Sequence, residues 1–177
     1  MTRKIKISSE FTYFAAIVLL SLAVAILSAA DFGISMIVAP AYLLSLKAGF
    51  LSFGQAEYAV QALVFIVLCI VLKKIRLSYL FSFGTCLIYG LVLDLWRKIP
   101  FLNPAATLPG SMNFTLRIIM FVIGMMLTSF SVALFFKTYL FPQVYDFFVK
   151  AVSAKYGIRL PVLKTIVDIS CLTASVI

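Results

Sequence analysis

Residues 11–30 read FTYFAAIVLLSLAVAILSAA, a stretch without one charged side chain. Coiled as an α-helix, these 20 residues reach about 30 Å, the thickness of a bilayer's hydrocarbon core. The rest of the chain cannot hide such a helix from water, because it is nearly as apolar. Of 177 residues, 64% are hydrophobic and 12% charged, and the mean hydropathy is +1.15. A soluble domain of this size exposes too large a share of its surface for that composition. Composition therefore excludes a soluble globular domain, a disordered chain and a fibre, and leaves an integral membrane protein. A cleaved signal sequence is the rival reading of residues 11–30, with Ser28-Ala29-Ala30 as its small residues. The run is longer than the roughly 7–15 apolar residues of such a sequence.

Working outward, residues 1–10 form a polar tail with Arg3, Lys4 and Lys6. Phe32 to Leu46 is a second charge-free run with Pro40 in its middle, too short for an upright span, so it reads as a tilted or a re-entrant helix. Gly49 suits its C-cap. Ser52-Phe53-Gly54-Gln55 spells a capping box and opens a helix to about Leu72, closed by Lys73, Lys74 and Arg76. Leu77 to Trp96 is the next span, with Trp96 at an interfacial position. Residues 99–113 hold Pro100, Pro104, Pro109 and Gly110 and read as a linker. Thr115 to Phe136 is a further span, and Leu140 to Ala154 another short segment, opening with Phe141-Pro142. Pro161 suits the first turn of a last helix.

A shift of 108 residues superimposes Ser21-x-x-Val24-Ala25 on Ser129-x-x-Val132-Ala133, and Ser45-x-Lys47-x-Gly49 on Ser153-x-Lys155-x-Gly157. The order of elements repeats as well. The expected organisation is a first membrane repeat over 1–98, a linker over 99–113 and a second repeat over 114–177. That second repeat lacks a counterpart of residues 77–96, being either shorter or without its C-terminal helix. The expected fold class is all-α: a polytopic transmembrane helix bundle with about five full spans plus two short Pro-interrupted helices. Of the 15 Lys and Arg residues, only Lys47, Arg97, Lys98 and Arg117 fall outside if the N-terminus is cytoplasmic and both short segments are re-entrant. If both short segments span, these four exchange places with Lys73, Lys74, Arg76 and Lys137, and the balance is unchanged. The positive-inside rule thus sets a cytoplasmic N-terminus but leaves inverted and parallel repeats open. The polarity of the second short segment inclines the reading to re-entrant segments.

The acids are six: Glu10, Asp31, Glu57, Asp94, Asp146 and Asp168. Glu10 and Asp31 flank the first span. A charge at mid-membrane costs about 2.5–3.5 kcal/mol on insertion scales, so the others should be paired, near a surface, or facing a polar cavity. Glu57 and Gln61 share a helix face, either as the wall of a binding cavity or with Glu57 snorkelling to the interface. Asp94 sits beside Arg97 and Lys98, where an interfacial ion pair is the simpler account, and Ser78, Ser82, Cys86 and Gly90 line one helix face suited to close packing. Asp146 with Lys150 and Lys164 with Asp168 are four apart, either neutralising one another near a surface or forming a solute site between the halves. The candidate substrate-binding residues are therefore Glu57, Gln61, Asp94, Asp146, Lys150, Lys164 and Asp168.

With no histidine, every His-based catalytic or zinc arrangement is ruled out. Cys69, Cys86 and Cys171 lie apart and read as inert buried thiols. No phosphate loop, iron–sulfur spacing or nucleophile elbow occurs, so neither enzyme, cofactor nor metal is expected. The net charge of +9 belongs to the flanks of apolar segments, not to a nucleic-acid surface. Expected partners are the lipid bilayer and, beyond it, a second copy or another membrane protein.

Several segments are similar to the YitT/YczE-like family of bacterial inner-membrane proteins. They are Asp31-Phe32-Gly33-Ile34-Ser35 with Pro40, Ser52 to Tyr58, Ile88-Tyr89-Gly90-Leu91-Val92-Leu93-Asp94, Asp146 ahead of Gly157, and Lys164-Thr165-Ile166-Val167-Asp168. Val38 stands where the second repeat has Asp146, so a paired-carboxylate role does not carry over. Lys164 stands where the family pattern has arginine, and the family continues for one more helix. The resemblance implies a multi-pass inner-membrane protein, transporter-like for a small solute. The alternative is a non-transporting accessory or scaffold protein of the membrane.

Overall fold

The computed structural model describes residues 9–73, 77–103, 112–138 and 143–176. Arg3, Lys4, Lys6, Lys74, Arg76, Pro104, Pro109, Gly110, Phe141, Pro142 and Ile177 lie outside the described residues. Within these bounds the chain is all-helical: α1 Ser9–Ala30, α2 Ala39–Ala48, α3 Phe53–Leu72, α4 Leu77–Arg97, a 3-10 turn Pro100–Leu102, α5 Phe114–Lys137, α6 Val144–Tyr156 and α7 Leu160–Val176. Three helices are long and apolar enough to cross a membrane: Ser9–Ala30, Phe53–Leu72 and Phe114–Phe135.

Local chemistry sets the helix ends. The Ser52 hydroxyl accepts from the Gln55 N–H at 3.1 Å and the Gln55 Oε1 accepts from the Ser52 N–H at 3.0 Å, so the capping box is formed. Gly49 and Gly157 end α2 and α6 in the left-handed conformation, at φ 60° and 68°, where a side chain would be strained. Two expectations change. Pro40 does not interrupt a helix; it stands in the first turn of α2, where a missing N–H leaves no intrahelical bond unmade. And α2 is only 10 residues long, about 15 Å.

The most buried helix is α1, which packs chiefly on α5 and also on α4. Its small side chains allow this: Ala16, Ala23, Ala25 and Ala30 have no exposed surface. On α5, Gly124 lies so close that a Cβ would fall 2.7 Å from Leu27 Cγ. The two helices are antiparallel. Arg117 at the start of α5 reaches the carbonyls of Ala30 and Asp31 at the end of α1, both at 2.9 Å. The Ser131 hydroxyl donates to the Ala16 carbonyl at 2.6 Å, and the Tyr13 and Phe135 rings meet edge to face at 6.0 Å.

The short helices do not carry the chain across the bundle. Tyr42 of α2 stacks on Phe53 at the start of α3 and lines a pocket with Leu27, Ser28 and Asp31 at the end of α1. So α1 ends and α3 begins at the same end of the bundle. At the opposite end, α5 finishes beside Tyr13, and Lys155 near the end of α6 donates to the Val71 carbonyl at 2.7 Å as α3 finishes. Within the described residues α2 therefore lies at the end where α1 finishes and α3 begins, and α6 finishes at the opposite end beside the end of α3.

Candidate functional site

Where α3, α4 and α6 converge, the bundle encloses polar side chains. Their depth follows from the capping box: counting from Phe53, Glu57 lies about 6 Å and Gln61 about 12 Å into α3. Both are 0% exposed. The expectation that Glu57 snorkels to the interface is therefore overturned; its helix face is turned inward because α4 and α6 both pack there. The Gln61 amide donates to Glu57 Oε1 at 3.1 Å. That one bond leaves Glu57 Oε2 and Gln61 Oε1 buried without a partner.

From α4 come Ser82, Cys86 and Tyr89, one or two turns apart on a buried face, and the Ser82 hydroxyl also has no partner. From α6 comes Tyr145, buried at 3% exposure, its hydroxyl again without a partner. Cys86, Tyr89, Tyr145 and, from α7, Cys171 all stand within electrostatic range of Glu57. The three cysteines are free thiols. Among the described residues, no group of three His, Cys, Asp or Glu side chains gathers as a metal site.

The close approach of α3 and α4 at one end makes this enclosure possible. Gly54 and Gly90 face each other; a Cβ on Gly90 would lie 2.8 Å from the Tyr58 ring and 2.9 Å from the Gly54 carbonyl. At Gly90 the expected small-residue face of α4 is thus used for packing, while the Ser78 side chain lies outside the described residues. Asp94 locks the same end. One carboxylate oxygen accepts from the Gly54 N–H at 2.8 Å and the other from the Ser52 hydroxyl. This corrects the expected ion pair with Arg97 and Lys98: Asp94 caps the N-terminus of α3, which presents unpaired N–H groups and a partial positive charge. Arg97 instead lies over the Phe53 ring, 5.2 Å from its centroid, and bonds Asn103. Asp94, Arg97, Lys98 and Asn103 rim an open pocket of about 590 Å³ at the end of the bundle, apart from the enclosed cluster.

The other candidates gather elsewhere. Asp146 lies in the first turn of α6 with Lys164 of α7 and Lys150 of its own helix in electrostatic range, and with Asp168 nearby. Asp146, Lys150 and Lys164 are exposed and Asp168 is partly buried, so this is a surface charge group. The structure brings Glu57 and Gln61 together with Tyr145, which the residue pattern alone did not single out. It also gives Asp31 a role: its carboxylate pairs with Arg117 at 3.1 Å.

A family model matches residues 7–177, almost the whole chain. The chain belongs to DUF6198, a family of unknown function. Comparison of this DUF6198 chain with curated proteins and with solved structures gives no match.

Proposed function

We propose that the protein is a multi-pass protein of the bacterial inner membrane that binds and passes a small solute at the Glu57–Gln61 cluster. One observation carries the reading: a carboxyl and an amide are wholly buried among helices, and each has an oxygen without a partner. A buried unpaired polar atom costs about 1–3 kcal/mol, and ionisable groups inside membranes mark solute and ion pathways by default. The cluster draws α3 and α4 from one half of the chain and α6 from the other.

Three features support a duplicated, inverted architecture. Gly49 and Gly157, 108 residues apart in number, close α2 and α6 in the same left-handed conformation. The contacts of the first half return in the second: α2 meets α3 as α6 meets α7, and α3 meets α6 as α7 meets α2. And α1 and α5, the first helix of each half, run antiparallel. Short helices in matching places of inverted halves mark the binding region of many transporters. The resemblance to YitT/YczE-like proteins points the same way, and the positive-inside rule puts the N-terminus in the cytoplasm.

The test is charge displacement on solid-supported membranes bearing the reconstituted protein, challenged with alkali cations, small amines, amino acids, carboxylates and sugars. One class should evoke a current that Glu57→Leu abolishes and Glu10→Gln leaves intact. Silence towards every class from protein shown to be folded would remove the transport reading. An accessory role is the second reading. It draws on α5, whose exposed side chains include Met126 at 70% and Ile119 at 50%, a long apolar face open to lipid or a neighbouring helix.

A further inference from the structure

The geometry points to a small monovalent cation, stripped of its water, as the ligand of the Glu57–Gln61 cluster. This rests on reading the cluster as a solute site and adds what the solute, or its coupling ion, must be. The two atoms without partners that belong to Glu57 and Gln61 are both oxygens, Oε2 and Oε1, and both side chains are 0% exposed. They sit one helical turn apart on the same face of α3, already tied by the bond from the Gln61 amide to Glu57 Oε1. That bond spends one of the amide's two N–H donors on Glu57 and leaves its oxygen free, so the atoms of the pair without partners are both acceptors. The Tyr145 hydroxyl, without a partner and in electrostatic range of Glu57, carries lone pairs as well as a proton and can add an oxygen from α6.

Charge selects the ligand further. Among the described residues, the only side chain bonded to Glu57 is Gln61, and the groups in electrostatic range of it are phenols and thiols, with no lysine or arginine among them. An anion would find no counter-charge there. A divalent cation commonly takes several carboxylates among its six to eight oxygens, and Glu57 stands alone. A single carboxylate balances a single positive charge. The start of α6 adds partial positive charge at this depth, but a helix end carries only about half an elementary charge. Glu57 and Gln61 both have 0% exposure, which suits a bare alkali ion more than a bulky organic solute in the same state of the protein.

The experiment is thermal unfolding of the purified full chain in detergent, titrated with sodium chloride against choline chloride at constant ionic strength, with lithium and potassium as further arms. The wild type should gain Tm in step with the logarithm of the alkali-ion concentration above Kd. Glu57→Gln should abolish the gain, and Tyr145→Phe should weaken the apparent affinity by about tenfold. Calorimetric titration of the wild type with sodium, lithium and potassium keeps the test open if Glu57→Gln does not fold. Equal melting in every salt with no heat of binding from any of the three ions overturns the proposal, as does a gain that survives in Glu57→Gln. Binding without any flux in proteoliposomes would retain this inference and remove transport. Flux without alkali-ion binding would do the reverse.

Discussion

At the scale of single residues, Asp94 shows how a carboxylate can be structural in a bundle of apolar helices. Its two oxygens take the Ser52 hydroxyl and the Gly54 N–H, tying the end of α4 to the start of α3. Asp94→Ala should lower stability by about 1–3 kcal/mol, since a hydrogen bond to a charged acceptor is lost at a helix N-terminus. Asp94→Asn, which keeps one acceptor, should recover part of that loss in thermal unfolding in detergent. Nothing in the neighbourhood of Asp94 along the chain announces this partner, because it lies 40 residues upstream. The pairing of Arg117 with Asp31, 86 residues apart, was illegible for the same reason. Glu57 and Gln61, by contrast, were legible as a pair from their spacing alone, because helical geometry puts i and i+4 on one face. What their spacing left open was whether that face looks to lipid headgroups or into the bundle, which depends on α4 and α6.

At the scale of elements, helix ends are written locally and helix contacts are not. The capping box, the left-handed glycines and the proline in the first turn of α7 all act through atoms a few residues away, so their signals survive in the bare sequence. The position of α2 did not: an apolar run from Phe32 suggested a longer helix, yet residues before Ala39 form turns, with Asp31 and Gly33 at positive φ. A run's hydrophobicity reports that it is buried or in lipid, not that it is coiled. The contact between α3 and α4 gives a sharp test. A Cβ on Gly54 would press on the Gly90 carbonyl and lie 2.7 Å from Asp94 Cγ, whereas one on Gly84, also in α4, meets nothing within 4 Å. Gly54→Ala should therefore destabilise the protein by about 1–3 kcal/mol through backbone displacement. Gly84→Ala should be neutral or raise stability by up to about 1 kcal/mol through helix propensity. Equal effects of the two in unfolding titrations would mean that α3 and α4 are not in contact at Gly54.

At the scale of the whole molecule, the path of the chain decides which loops share a side. The balance of Lys and Arg could not separate spanning from returning short helices, because four basic residues simply changed places with four others. The antiparallel α1–α5 pair and the meeting of the α1 end with the α3 start support the returning path proposed above. Single cysteines report the outcome directly. With the N-terminus cytoplasmic, Lys98→Cys should label from outside intact cells with a membrane-impermeant maleimide, and Ser153→Cys should label only after permeabilisation. If both short helices crossed, Lys98→Cys would be protected as well, and the returning path would be wrong.

The central place of α1 also has a consequence in time. Among the described helices α1 is made before the others and is enclosed most deeply, and its main partner, α5, begins at Phe114. At about 5–20 residues per second, the ribosome needs roughly 4–17 s to make the intervening chain. For that interval α1 stands among lipids with its alanine- and serine-lined face uncovered. The contact that organises the described bundle is therefore a late one, made after α2, α3 and α4 have already been synthesised.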